Sequence, residues 1–128
     1  MDTNIVSMLL RANPAVVKHV VAAPMGSLCV SAVTEGELRF GLARRPDAKK
    51  MHHAVGELLR RVDVLPWDSA TAICYGRIRA DLERAGRSLS PLDLMIAAHA
   101  MDVVAILVTN DAAFANVSGL QIEDWSRD

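Results

Sequence analysis

The chain has 128 residues, 52% of them hydrophobic, with 14 basic and 15 acidic side chains and a net charge of −1. That length and apolar content fit one domain with a real core and exclude a disordered chain. The balanced charge shows no general affinity for polyanions or membranes, although local patches decide such binding more than totals do, and no apolar run approaches the roughly 18 residues of a membrane span.

In chain order, residues 5–12 read as a short helix. Asn13-Pro14 breaks it, and Pro14 suits the first turn of a second helix through Val21. Pro24-Met25-Gly26 reads as a turn. SLCVSAV (27–33) is a short β-branched run, expected as a buried strand. TEGELRFGLARR (34–45) reads as a helix, interrupted by Pro46-Asp47. A further helix follows over 48–61, with Met51, Val55, Leu58 and Leu59 at helical spacing.

VDVLPW (62–67) reads as a second strand. Asp68 is placed to cap a long helix through Ala85, with Ile73, Ile78 and Leu82 inward, and Gly86 ends it. Ser90-Pro91 starts another helix, to about Met101. VVAILVTN (103–110) is the clearest strand and LQIEDW (120–125) a last, short one. Alternating strands and helices argue for an α/β fold, one domain over 1–128, with a parallel sheet of about four to five strands and helices on both faces. Four strands are visible. The first strand, expected just before Asp2, is truncated or missing, because only Met1 stands there.

Cys29 and Cys74 lie in apolar runs, which predicts two reduced, buried thiols. Two cysteines make neither a disulfide framework nor a zinc site. The first residues lack the basic region and small-residue cleavage site of a signal peptide, so the expected location is cytoplasmic.

Ligands of doubly wound folds bind beyond the carboxyl ends of the strands. Four acids stand at such ends or at helix starts: Asp2, Glu37, Asp93 and Asp111. Each has a local explanation. Thr34-Glu35-Gly36-Glu37 matches a capping box, Ser90-Pro91-Leu92-Asp93 follows the same scheme, and Asp2 and Asp111 suit cap positions. Together they would crowd one rim with like charge, which a cation relieves. Hard oxygen donors select Mg²⁺ or Mn²⁺, and such a site suits phosphodiester hydrolysis.

These residues carry a family resemblance. DTNIVS (2–7), SAVTEGELRFG (31–41), RADLERAGRSLSPLDLMIAAHA (79–100), LVTND (107–111) and FANVSGLQIEDW (114–125) stand in the order and spacing of the PIN-domain ribonucleases. The chain resembles in particular the VapC-type toxins of bacterial toxin–antitoxin pairs. The resemblance implies a Mg²⁺- or Mn²⁺-dependent endoribonuclease with Asp2, Glu37, Asp93 and Asp111 as its catalytic acids. Asp2, Asp93 and Asp111 would be the metal ligands, and Asn4 and Thr109 would support them. It implies in-line attack by a metal-activated water, leaving a 5′-phosphate and a 3′-hydroxyl. It further implies tRNA or ribosomal RNA as substrate, a homodimer, and an antitoxin of the VapB type that lies across the acidic rim. Contact with DNA would come only through that antitoxin.

The chain departs from the family pattern in three places. The apolar residues before DTN are absent, Ala113 stands where some relatives carry a fifth acid, and Val103-Val104 replace a glycine after the AAHA helix. A β-branched residue is a poor choice for a left-handed turn, so a different turn is expected there.

Other polar residues have both a structural and a functional reading. His99, nearly two turns beyond Asp93, reads as a packed, hydrogen-bonded core residue rather than a ligand. His52-His53 reads as surface, and Trp67 and Trp125 as packing anchors. Arg44, Arg45, Lys49 and Lys50 form a basic run that is either a solvated helix end or a phosphate contact, and Arg87, close before Asp93, is a further candidate for RNA. The helices near 5–22 and 36–45 offer a groove for an antitoxin helix. The alternative to an enzyme is a PIN-fold module that binds RNA or antitoxin without cutting, because Asp2 lacks the strand that would anchor it. A phosphoacceptor receiver domain ranks lower still: VDVLPW and LVTND do not supply its Asp and Lys pair.

Overall fold

The computed structural model describes residues 1–128 apart from Met25 and Asp128. The turn expected at Pro24-Met25-Gly26 therefore lies partly outside the described residues. Its Gly26 has φ +81°, a conformation suited to glycine.

Among the described residues, six helices and four short strands follow in the order α1 (Thr3–Leu10), α2 (Pro14–Ala22), β1 (Cys29–Ser31), α3 (Ala32–Ala43), α4 (Lys49–Arg61), β2 (Asp63–Leu65), α5 (Ser69–Arg84), α6 (Pro91–Asp102), β3 (Leu107–Val108) and β4 (Ile122–Glu123). A 3₁₀ helix spans Ala112–Asn116. β1 pairs in parallel with β2, and β3 with β4. The missing first strand survives as two residues. The Met1 amino group donates to the Cys29 carbonyl at 3.1 Å, and the Asp2 amide donates to the Val108 carbonyl at 2.9 Å. Met1–Asp2 thus bridges the two strand pairs and gives the spatial order β2-β1-(1–2)-β3-β4.

Strand alternation sends neighbouring residues to opposite faces. Leu107 packs into a core with Cys74, Ile78, Leu82, Ile96, Ala97 and Phe114, between α5, α6 and the 3₁₀ helix. Val108 packs on the other face with Ile5, Val6, Val16, Val30, Leu38 and Val55, from α1 to α4. Helices therefore cover both faces, as an α/β domain requires.

Four local expectations are corrected. On α5, Ile73 is 76% exposed, and Thr71 and Cys74 take the inward positions with Ile78 and Leu82. Spacings of three and four residues keep 71, 74, 78 and 82 on one stripe, and 73 falls off it. The expected strand 103–110 shortens to Leu107–Val108. Its start is instead a turn in which Val104 has φ +53°, so the left-handed turn forms in spite of a β-branched residue. Helix α3 begins at Ala32, not Thr34. Ser31 is its cap, its hydroxyl accepting from the Val33 amide at 3.1 Å. Finally, Thr34 lies inside that helix, fully buried, with a hydroxyl that has no hydrogen-bond partner, so no capping box forms with Glu37.

The other caps follow the sequence. Asp68 accepts from the Thr71 amide at 3.0 Å, Ser90 accepts from the Asp93 amide at 3.3 Å, and Gly86 closes α5 with φ +69°. His99 is buried, with Nδ1 2.7 Å from the Ser31 hydroxyl, and ties α6 to the end of β1. Cys29 and Cys74 are free thiols, and Cys74 is buried. No single helix is long and apolar enough to cross a membrane among the described residues.

Candidate active site

Asp2 caps α1 and is only 3% exposed. One carboxylate oxygen accepts from the Ile5 amide at 3.0 Å, and the other accepts a short hydrogen bond from the Thr109 hydroxyl. With the Asp2 amide held by Val108, both the backbone and the carboxylate are fixed without a full strand in front. The cap reading and the site reading of Asp2 are compatible, because each carboxylate oxygen has a second lone pair.

Thr109 is the hinge of the arrangement. It follows β3 directly and is 1% exposed. Its hydroxyl donates to Asp2 and accepts from the Asp111 amide at 3.0 Å, so the first and last of the four acids share one anchor. Asp111 is half-buried and accepts from the Ala113 amide at 2.9 Å, which starts the 3₁₀ helix.

Glu37 is reached from Thr3, the middle residue of the DTN segment. The Thr3 hydroxyl donates to the Glu37 carboxylate at 2.6 Å, which joins α3 to the residue next to Asp2. Since α3 starts at Ala32, Glu37 sits in its second turn and caps nothing. The signal for Thr3 lay in its place: a hydroxyl beside Asp2 in the first helical position. Asn4, expected as a support, is exposed one position further round α1. Asp93 is half-buried in the first turn of α6, its amide fixed by the Ser90 cap.

The acids influence one another. Burial pushes the Asp2 carboxyl above its usual range, opposed by the bonds from Thr109 and Ile5 and by the terminal ammonium, while the charge of Asp93 pushes it further up. A buried carboxylate beside a second one favours either a proton or a cation. Among the described residues, no three His, Cys, Asp or Glu side chains stand close enough to hold an ion by themselves. The donor set nevertheless fits Mg²⁺ or Mn²⁺: all donors are hard oxygens, and Mg²⁺ takes one or two carboxylates and completes its shell with water and phosphate oxygens.

The basic candidates are dispersed. The Arg44 guanidinium lies over the Phe40 ring, 5.5 Å from its centroid. Lys49 is exposed at the start of α4. Arg87 donates to the Asn116 side chain. Arg45 and Lys50 line a groove that also reaches Glu37.

Fold and site together define a class: an α/β domain with carboxylates in the first turns that follow its parallel strands, Asp2 lying in the field of Asp93. Residues 1–120 match the PIN domain, and the chain belongs to the PIN-domain family. It is 39% identical over 127 residues to the tRNA(fMet)-specific endonuclease VapC of Shigella flexneri, covering 98% of this chain and 96% of that one. It is 30% identical over 126 residues to ribonuclease VapC2 of Haemophilus influenzae, again covering 98% and 96%. Among solved structures it is similar to DNA-bound VapBC from Salmonella typhimurium, with TM-score 0.89 and 32% identity, covering 97% of this chain and 95% of that one. It is also similar to VapBC2 from Rickettsia felis bound to a promoter DNA fragment, with TM-score 0.88 and 26% identity, covering 96% and 95%.

Proposed function

We propose that this chain is an endoribonuclease toxin of the VapC type, restrained by an antitoxin of the VapB type, and that residues 1–128 form one PIN domain acting in the cytoplasm as a homodimer. The observation that carries the reading is Asp2: a buried carboxylate, fixed by Thr109 and Ile5, in the field of Asp93. A fold that only stored these acids as helix caps would have no reason to bury one beside another.

Asp2, Asp93 and Asp111 would be the ligands of Mg²⁺ or Mn²⁺, one or two of them bound directly and the remainder through water. The ion would polarise the scissile phosphate, lower the pKa of an attacking water and steady the leaving oxygen. The protein's part is to hold the donors still. Thr109 fixes Asp2 and Asp111 relative to each other, Ser90 fixes the first turn of α6 beneath Asp93, and Thr3 orients Glu37 toward the rim. Glu37 would then take a proton from the attacking water. RNA phosphates would be drawn in by the basic residues Arg44, Arg45, Lys49, Lys50 and Arg87, with a structured RNA such as a tRNA as substrate. The similarity to VapBC complexes supports an antitoxin partner.

Cleavage of RNA by the purified chain should require Mg²⁺ or Mn²⁺ and stop with EDTA. Asp93→Asn should lower the rate by roughly 100-fold or more, the scale of losing one transition-state contact, and should abolish growth arrest on expression. Retained toxicity in that variant would sink the assignment. The non-cutting alternative rested on an unanchored Asp2. The bonds at its amide and at both carboxylate oxygens supply an anchor.

A further inference from the structure

The sheet opens beside Met1, at the amino ends of its strands and away from the acids. A cavity of about 510 Å³ lies there on the α2 side, and one of about 40 Å³ on the α6 side. Met1, Cys29, Ala105 and Ile106 line both, so the two cavities form one slot between the chain ahead of β3 and the start of β1. Its walls are apolar: Leu65, Ala100 and Val103 toward α6, and Ala22, Leu28 and Trp125 toward α2. Val103, Val104 and Ile106 are exposed around it.

The slot is one strand wide, because Met1–Asp2 spans it with amides bonded to Cys29 on one side and Val108 on the other. A helix, about 10–12 Å across with its side chains, is too wide for it. Successive residues of a strand turn their backbone groups to opposite edges. Leu28 serves β2 through its carbonyl, and Leu107 and Thr109 serve the β4 side through their amides. Cys29 and Val108 therefore direct their N–H groups toward the slot. The Met1 amino group stands at its inner end and donates to the Cys29 carbonyl, which leaves an ammonium with further hydrogens to give. Backbone donors and a positive charge thus converge where an apolar channel ends.

We infer that this slot captures the extended, apolar C-terminal tail of a partner polypeptide, parallel to β1 and β3, with its carboxylate against the Met1 amino group. Strand addition and carboxylate capture are both known modes of peptide recognition. Charge sets the direction: a parallel tail brings a carboxylate to Met1, whereas an antiparallel one brings a second amino group. Side chains alternate between the faces of a strand. The Met1 side chain packs in the core on the α2 side, so the last residue of the tail faces α6 and the residue before it faces α2. The cavity toward α6 is the smaller, so the tail ends on a short side chain preceded by a long one. None of this requires the metal or the RNA.

The test uses the full chain and the peptide acetyl-Lys-Leu-Val-Leu-Val, followed by calorimetry and by the fluorescence of Trp125, which lines the slot. Binding should saturate at one peptide per chain. A carboxamide in place of the carboxylate should weaken it about tenfold, the scale of one charge-assisted hydrogen bond. Acetyl-Lys-Val-Leu-Val-Leu has the same composition with the alternation reversed, and should also bind about tenfold more weakly, as a misplaced methylene does. N-methylation of the last valine removes a ladder donor and should abolish binding. Ile106→Asp, at an exposed position on the slot, should abolish it too, and Ile73→Asp, exposed on α5, should not.

Absence of saturable binding would overturn the inference. So would equal affinity for the carboxamide, or for the two alternations, since apolar adhesion alone distinguishes neither. A dimer of the chain that Ile106→Asp dissolves would give the slot to a second copy instead. Fusing Val-Leu-Val ahead of Met1 should fill the slot from the chain's own end and abolish binding of the free peptide. Undiminished binding to that fusion would place the peptide elsewhere and sink the assignment.

Discussion

At the scale of single residues, Asp2 shows how a site stores destabilisation. Its folded pKa is raised above the usual 3.8, with burial the largest cause. The folded chain therefore holds the Asp2 proton more tightly than the unfolded chain does. Stability from this group is complete below the unfolded pKa and is lost as pH rises through the folded value. In EDTA at neutral pH, Asp2→Asn should accordingly raise the melting temperature. The variant should also lose most of the stabilisation that Mg²⁺ gives the unaltered chain, because a ligand that binds only the native state stabilises it. Thermal melts with and without the metal check both. A variant less stable in EDTA would mean that the bonds to Thr109 and Ile5 outweigh the cost of burying the charge. His99 carries the opposite sign. Burial lowers its pKa, against the nearby charges of Asp102 and Asp68, so its contribution is lost as pH falls through the folded value.

At the scale of elements, the disagreements between sequence and structure have local physical causes. Thr34 looked like a cap because Thr followed by Glu three residues later is the capping pattern. The structure prefers Ser31, whose hydroxyl also meets His99. That choice leaves the Thr34 hydroxyl buried and unpartnered in α3. Thr34→Val keeps the shape and removes the unsatisfied group, and should stabilise the chain by about 1 kcal/mol in chemical denaturation. The turn after α6 is the converse case. Val104 is 91% exposed and holds φ +53°, so its side chain packs against little while its backbone is strained. Val104→Gly should raise stability by about 1 kcal/mol, the order of the left-handed penalty for a residue with a Cβ, and urea unfolding would show the gain. Helices with strong borders were legible: Pro14, Asp68, Ser90-Pro91 and Gly86 each mark an end through their own backbone chemistry. The length of β3 was not legible, because an apolar run such as Val103 to Val108 has the same composition whether it pairs or turns.

At the scale of the whole molecule, the site depends on two cores meeting along short strands. Leu107 and Val108 face opposite cores, and the next residue, Thr109, is the anchor for Asp2 and Asp111. Phe114 is fully buried in the first core, one 3₁₀ turn beyond Asp111. Phe114→Ala should cost about 3–5 kcal/mol, a large part of the roughly 5–15 kcal/mol that holds a domain folded. If the variant still folds, its cleavage rate should also fall, because the turn that places Asp111 loses its support. Full activity in a destabilised Phe114→Ala chain would separate the core from the site.

The sequence by itself determined the alternation of strands and helices, the positions of most caps and the four acids, because each of these is written in neighbouring residues. Turn chemistry, period and cap type are local, and DTN, the E-L pair, the helix after Ser90-Pro91 and TND carry them in order. Only the tertiary structure decided how Asp2 is held. Two residues, Met1 and Asp2, stand in for a central strand by bonding to Cys29 on one side and Val108 on the other. The partners of that stub lie 28 and more than 100 positions away, and no local pattern encodes a contact at that distance. The same holds for the Thr3–Glu37 bond and for the groove that Arg45 and Lys50 share with Glu37. Each is a meeting of side chains whose helices are adjacent only because the sheet between them has formed.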